Sequence, residues 1–175
     1  MGSCPDGWKL HEDHCYLFVE DQDLSWNAAE ARCVGEGGHL ASITSESIKG
    51  FVKEQMMKSV WTGGRRLEGE EEWRWVDGSA WSYESWGQGE PLPIAETGRP
   101  GGNCGKLGKF EDMEDRSCED EYRFVCATRI CPGLSTGATV GIVLVLFIVG
   151  AASVGAGLWF CNKKPRNSSD PRPSS

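Results

Sequence analysis

The sequence predicts a mixed helix-and-strand head on a single membrane-spanning helix, and three observations predict it. The run from Val140 to Phe160 is apolar and uncharged, and its length at 1.5 Å per residue matches a hydrocarbon core of about 30 Å. Ahead of that run, short β-type segments alternate with two segments of helical spacing and then give way to a Trp-rich stretch with no helical period. Seven of the eight cysteines also lie ahead of it, spread as an oxidised extracellular domain spreads them. The expected organisation is a head over residues 1–129, a Gly/Ser/Thr stalk over 130–139, a transmembrane helix over 140–160 and a cytoplasmic tail over 161–175. Lys163, Lys164 and Arg166 follow the apolar run directly, and basic residues in that place mark the cytosolic side. The chain is therefore expected at the plasma membrane, single-pass, with its N-terminus outside.

Taken in order, Pro5-Asp6-Gly7 signals a turn before a strand at Cys15-Tyr16-Leu17-Phe18-Val19. Trp26, Ala29 and Cys33 fall at helical spacing from Ser25, and Gly35, Gly37 and Gly38 end that helix. A second helix is expected from about Thr44, with Ile48, Phe51, Val52 and Met56 along one face. Between residues 61 and 110 the tryptophans Trp61, Trp73, Trp75, Trp81 and Trp86 stand among Gly, Pro and charge. Short strands such as Trp73-Arg74-Trp75-Val76 among long loops are the reading there, with most indoles in the core. Tyr122-Arg123-Phe124-Val125-Cys126 alternates and closes the domain.

Composition excludes several function classes. The net charge is −8; the tail carries four basic residues and one acidic one, which leaves −11 for the rest. An acidic head disfavours nucleic acid and anionic lipid and suits divalent cations or basic partners. Zinc is disfavoured, since no Cys-x-x-Cys pair occurs and His11, His14 and His39 do not take ligand spacings with the cysteines. No Ser/His/Asp or Cys/His set points to an enzyme. Residues 1–30 hold no apolar segment of the kind a signal peptide needs, so an export signal upstream of this sequence is expected.

The motifs carry a resemblance. Cys4-Pro5-Asp6-Gly7-Trp8 with Cys15-Tyr16, the segment Trp26 to Cys33, Gly38-His39-Leu40-Ala41-Ser42-Ile43, Trp61-Thr62-Gly63-Gly64, Trp75-Val76-Asp77-Gly78-Ser79 and Trp86-Gly87-Gln88-Gly89-Glu90-Pro91 follow one another, and Cys104, Cys118 and Phe124-Val125-Cys126 complete the series. In this order they resemble the long-form C-type lectin-like domain over residues 4 to 126. The resemblance implies a double-loop α+β fold: two helices, small antiparallel sheets and a long irregular loop region. It also implies the disulfides Cys4–Cys15, Cys33–Cys126 and Cys104–Cys118, a choice that spacing alone leaves open.

In calcium-dependent members of that family one Ca²⁺ sits among loop carboxylates and amides and shares them with a sugar diol. The resemblance places Glu90-Pro91-Leu92 where such members carry Glu-Pro-Asn, Gly102 where they carry a Glu, and Phe110-Glu111-Asp112 where they carry Trp-Asn-Asp. Glu90, Glu111 and Asp112 are thus the expected ligand-binding and metal-binding residues, with Glu96 in a lengthened loop as a further oxygen donor. Leu92 and Gly102 offer no side-chain oxygen, and an ion that takes 6–8 oxygens would be held weakly. The implied function is a cell-surface recognition receptor that binds carbohydrate, as a glycan or glycoprotein, through the long-loop region with a degenerate calcium site. The alternative is a calcium-independent receptor for a protein ligand. Cys131, the odd cysteine of the extracellular set, is the candidate for an interchain disulfide in a homodimer, and Cys161 at the inner boundary is a candidate for palmitoylation.

Overall fold

The computed structural model describes residues 3–92 and 102–130. Glu96, Cys131, Cys161 and the expected stalk beyond Ile130, apolar span and tail lie outside the described residues, among which no helix is long and apolar enough to cross a membrane.

Eight strands and two helices make up the described part: β1 Lys9–His11, β2 His14–Leu24, α1 Trp26–Gly35, β3 His39–Leu40, α2 Glu46–Gln55, β4 Val60–Arg65, β5 Arg74–Trp75, β6 Cys104–Leu107, β7 Met113–Arg116 and β8 Tyr122–Arg129. The sheet runs β1-β2-β8-β4-β6-β7, with β3 added to β8 and β5 to β4. Its pairs are antiparallel except β4 with β8, where Val60 and Trp61 run parallel to Arg123 and Phe124. This is the α+β architecture expected from the sequence.

Both helices bury the faces their spacing marks. In α1 the buried residues are Trp26, Ala29 and Cys33. The chain leaves it through Gly37, whose φ of +87° suits a residue without a Cβ. The second helix starts two residues later than Thr44. The Ser45 hydroxyl accepts from the Ile48 backbone N–H at 3.1 Å, as an N-cap should, and Ile48 and Val52 face the core. At its other end the Lys109 ammonium donates to the Lys53 and Met56 carbonyls at 2.6 and 2.7 Å, two of the acceptors a helix C-terminus leaves unpaired.

Two clusters of buried side chains fill the interior. Trp26, Leu40, Trp61 and Phe124 pack around Cys33–Cys126, while Tyr16, Ile43, Val52, Val60, Trp75 and Met113 pack under α2. Buried indoles still find acceptors: Trp26 Nε1 donates to the Thr62 carbonyl at 2.8 Å and Trp61 Nε1 to the Leu24 carbonyl at 2.9 Å. Gly63 is where two strands meet too closely for a side chain, since a Cβ there would stand 2.5 Å from the Leu40 carbonyl oxygen. The three disulfides are Cys4–Cys15, Cys33–Cys126 and Cys104–Cys118, the pairing the resemblance implies.

The sequence reading differs from the structure mainly in the Trp-rich half. Strands β4, β6 and β7 are there although β6 and β7 carry Lys106, Glu114 and Asp115 among their buried residues. Apolar alternation cannot reveal strands whose charges are buried in ion pairs.

Candidate functional site

The site is built on the β6–β7 hairpin. Its register pairs Cys104 with Arg116, Gly105 with Asp115, Lys106 with Glu114 and Leu107 with Met113, so residues 108–112 form its tip. The loop ahead of it is pinned to the start of β7: Met113 donates its N–H to the Ser85 carbonyl, and Gly87 donates to the Met113 carbonyl, both at 2.8 Å. That fixes Glu90 and Pro91, joined by a cis peptide bond, beside the carboxylates of β7.

This geometry corrects the ligand set read from the sequence. Phe110, Glu111 and Asp112 occupy the hairpin tip. Phe110 is 93 % exposed, whereas Met113 is 1 % exposed; the residue that anchors the motif is therefore Met113, and the pair that follows it is Glu114-Asp115. Asp112 faces α2, where Lys53 and Lys49 donate to its Oδ1 at 3.0 and 3.3 Å. Hydrogen bonding from Lys53 above all, then Lys49, holds its carboxyl below the usual range despite partial burial. Glu111 is exposed and lies beside Glu114. Glu90 is where it was expected, but Asp115 is its neighbour rather than Asp112. The missed signal was the acidic pair behind an apolar residue just before Cys118; an aromatic residue three positions earlier drew the alignment instead.

Arg66 is the centre of the corrected site. Its guanidinium donates from Nε to Asn103 Oδ1 at 3.0 Å and from Nη2 to the Leu92 carbonyl at 3.2 Å. It also lies 3.4 Å from Asp115 Oδ2, and the two side chains are 2 % and 1 % exposed. The other oxygen of Asp115 accepts from the Leu92 N–H at 3.2 Å. A Cβ at Gly102 would fall 1.7 Å from Asp115 Oδ2, so the aspartate already fills the space of the side chain that position lacks. Beside it, Glu114 is paired with Arg116 and with Lys106 at 3.0 Å. Burial raises the Glu114 pKa, but hydrogen bonding with Glu111 and Lys106 and the charges of Lys106 and Arg116 bring it down on balance. Glu90 keeps one weak counter-charge, Arg116 at 3.6 Å. Burial first, then the hydrogen bond and charge of Asp115, push its carboxyl up to about 7.

Calcium needs 6–8 oxygens, and the described residues do not fit it. Leu92 brings no side-chain oxygen, Gly102 no side chain at all, both oxygens of Asp115 are taken by Arg66 and the Leu92 N–H, and Glu114 Oε2 is taken by Arg116 and Lys106. Among the described residues no three carboxylate, imidazole or thiol groups gather as metal ligands. Among the described residues the positive charge at Asp115 is the Arg66 guanidinium.

Next to this network opens a cleft of about 650 Å³ lined by the indoles of Trp73, Trp81 and Trp86 and by Glu71, Glu72, Glu84 and Glu90. Trp81 stacks on the core residue Trp75 at 4.3 Å between centroids, and Trp73 meets Trp86 edge-on at 4.7 Å. Apart from Glu90, sequence reasoning did not single out these residues as a site. The acidic run Glu70-Glu71-Glu72 set against Trp73 was the available sign.

Comparison with known proteins agrees with this geometry. The family model described as the lectin C-type domain matches residues 22–128. A type-2 ice-structuring protein of Brachyopsis segaliensis is 39 % identical over 126 residues, covering 71 % of this chain and 71 % of that protein. Among solved structures, a calcium-independent type II antifreeze protein superposes with a TM-score of 0.67 at 30 % identity, covering 75 % of this chain and 98 % of its own. The C-type lectin domain of murine dendritic cell inhibitory receptor 2, solved in complex with N-glycan, gives 0.64 at 29 % identity, covering 73 % and 99 %. With the paired helices, the three disulfides and the long-loop face in place, the chain belongs to the C-type lectin domain family.

Proposed function

We propose that this chain is a cell-surface recognition receptor whose head binds its ligand through the long-loop face without calcium. The observation that carries the reading is Arg66, buried among Asn103, Leu92 and Asp115, where its guanidinium supplies the positive charge. Replacing Arg66 by an ion would require extracting a buried, paired guanidinium, a change that costs several kcal/mol on the scale of broken buried ion pairs. A relative solved as a calcium-independent protein supports the reading. The apolar run 140–160 with basic residues behind it supports a head held outside the membrane. No catalytic constellation argues for an enzyme.

Without the ion, a sugar diol loses its usual coordination partner, and a protein ligand becomes the leading class. A glycan ligand is the second reading, favoured by three indoles in an open cleft and by a relative solved in complex with N-glycan. Calorimetric titration of the full chain with Ca²⁺, together with glycan-array binding in Ca²⁺ and in chelator, tests the proposal. The expected result is no heat of Ca²⁺ binding and a binding pattern indifferent to chelator. A saturable calcium heat, or glycan binding that chelator abolishes, would overturn it. On intact cells, protease is expected to remove the head and spare the tail; the opposite pattern would contradict the surface assignment.

A further inference from the structure

We propose that the Trp73/Trp81/Trp86 cleft binds the cationic side chain of a lysine on a protein partner, with the ammonium among Glu71, Glu72, Glu84 and Glu90. The proposal deepens the calcium-independent reading and rests on it, because Glu90 has to face the cleft rather than a metal.

Two independent features support it. The first is aromatic. Trp81 lies 5.9 Å from Trp86 and 6.0 Å from Trp73, and Trp81 is backed by Trp75 in the core, so the rings are held in place before a ligand arrives. Indole faces attract cations, and one of these rings is already used in that way: the Arg66 guanidinium lies 5.2 Å from the Trp73 ring. The methylenes of a lysine stem suit the same apolar faces.

The second feature is charge. The side chains that line the cleft among the described residues are acceptors, indoles and a proline, with four carboxylates and no cationic group. A neutral sugar, whose hydroxyls both donate and accept, would meet an unbalanced set; an ammonium, which only donates, meets a matching one. Three arginines reach carboxylates of the cleft, Arg66 to Glu71 at 4.0 Å, Arg74 to Glu72 at 3.0 Å and Arg116 to Glu90 at 3.6 Å, but each is shared with a further carboxylate, so the acidic groups stay in excess. Arg66 is bound to Asp115, Arg74 to Glu70 at 3.0 Å and Arg116 to Glu114. Glu84 has no ion-pair partner among the described residues.

The test is a titration of the full chain, in neutral detergent and chelator, with Nα-acetyl-lysine N-methylamide, following the indole N–H resonances. The expected result is saturable movement of the Trp73, Trp81 and Trp86 signals. The Nε-acetylated analogue, which has the same carbonyls and no charge, should bind at least about tenfold more weakly, the loss that about 1.4 kcal/mol produces. Glu72→Gln and Glu84→Gln, both at exposed positions, should each weaken the capped lysine about two- to fivefold, while Glu119→Gln, outside the cleft, should not. A flat lysine titration, equal binding of the acetylated analogue, or a neutral hexose that saturates the same signals in place of lysine would overturn the proposal and leave the calcium-independent reading standing. Calcium added alone that moves these signals would overturn that reading itself.

Discussion

Glu90 shows how much a single position depends on its neighbours. Its side chain is 17 % exposed, one of its oxygens is buried without a partner among the described residues, and Asp115 stands next to it. A carboxyl with a folded-state pKa near 7 and an unfolded value of about 4.3 holds its proton more tightly in the folded state. Its contribution to stability is therefore complete below about pH 4 and is lost as pH rises through 7. We expect Glu90→Gln to remove that loss. Relative to wild type, the variant should gain on the order of 1–2 kcal/mol between pH 5 and pH 8, read from urea unfolding at the two pH values; a constant difference would refute it. Sequence reasoning reached Glu90 because a Glu-Pro dipeptide behind Trp86-Gly87 is conspicuous. It missed Asp115 and Arg66 because nothing local marks them: Arg66 is bound through residues 92, 103 and 115, contacts that exist only once three separate segments have come together.

Among the elements, the helices were legible and the hairpin was not. Trp26, Ala29 and Cys33 declare one face of α1, and Ile48, Phe51 and Val52 one face of α2, because an apolar stripe is a local pattern. Strands β6 and β7 instead carry Lys106 opposite Glu114, and the pair is buried. Read singly, either residue argues for solvent. The hairpin and α2 are also tied together. Asp112 takes Lys49 and Lys53 from the helix, and Lys109 closes the helix C-terminus from the hairpin tip. Lys109→Met keeps the stem and removes the donor. It should lower stability by about 1–2 kcal/mol, the worth of two lost hydrogen bonds at a helix end, seen as a lower urea midpoint with an unchanged slope. An unchanged midpoint would mean that solvent serves those carbonyls equally well.

At the scale of the whole molecule, the ordered cysteines and tryptophans made the architecture legible, since motifs spread over more than a hundred residues constrain a fold far more than any local propensity. The Cys33–Cys126 bridge, closing a separation of 93 residues, ties α1 to β8 across a domain with long irregular loops. Removing it as Cys33→Ala with Cys126→Ala should cost roughly 4–5 kcal/mol in the chain-entropy description, measured by thermal or urea unfolding against wild type; a loss below about 1 kcal/mol would show that the loops are held mainly by packing. The same bridge has a mechanical consequence. Strand β8 pairs with β2, β3 and β4, and the chain leaves the described head at Ile130, four residues past Cys126. A pull on Ile130, from whatever follows it, is loaded in shear onto the antiparallel β2–β8 ladder and, at Cys126, three residues inside the strand's end at Arg129, onto a covalent cross-link. Most residues between Cys33 and Cys126, with the cleft among them, lie outside that ladder, apart from β3, which pairs with β8 at Cys126 and Ala127. A head built in this way resists being drawn out from its C-terminal end.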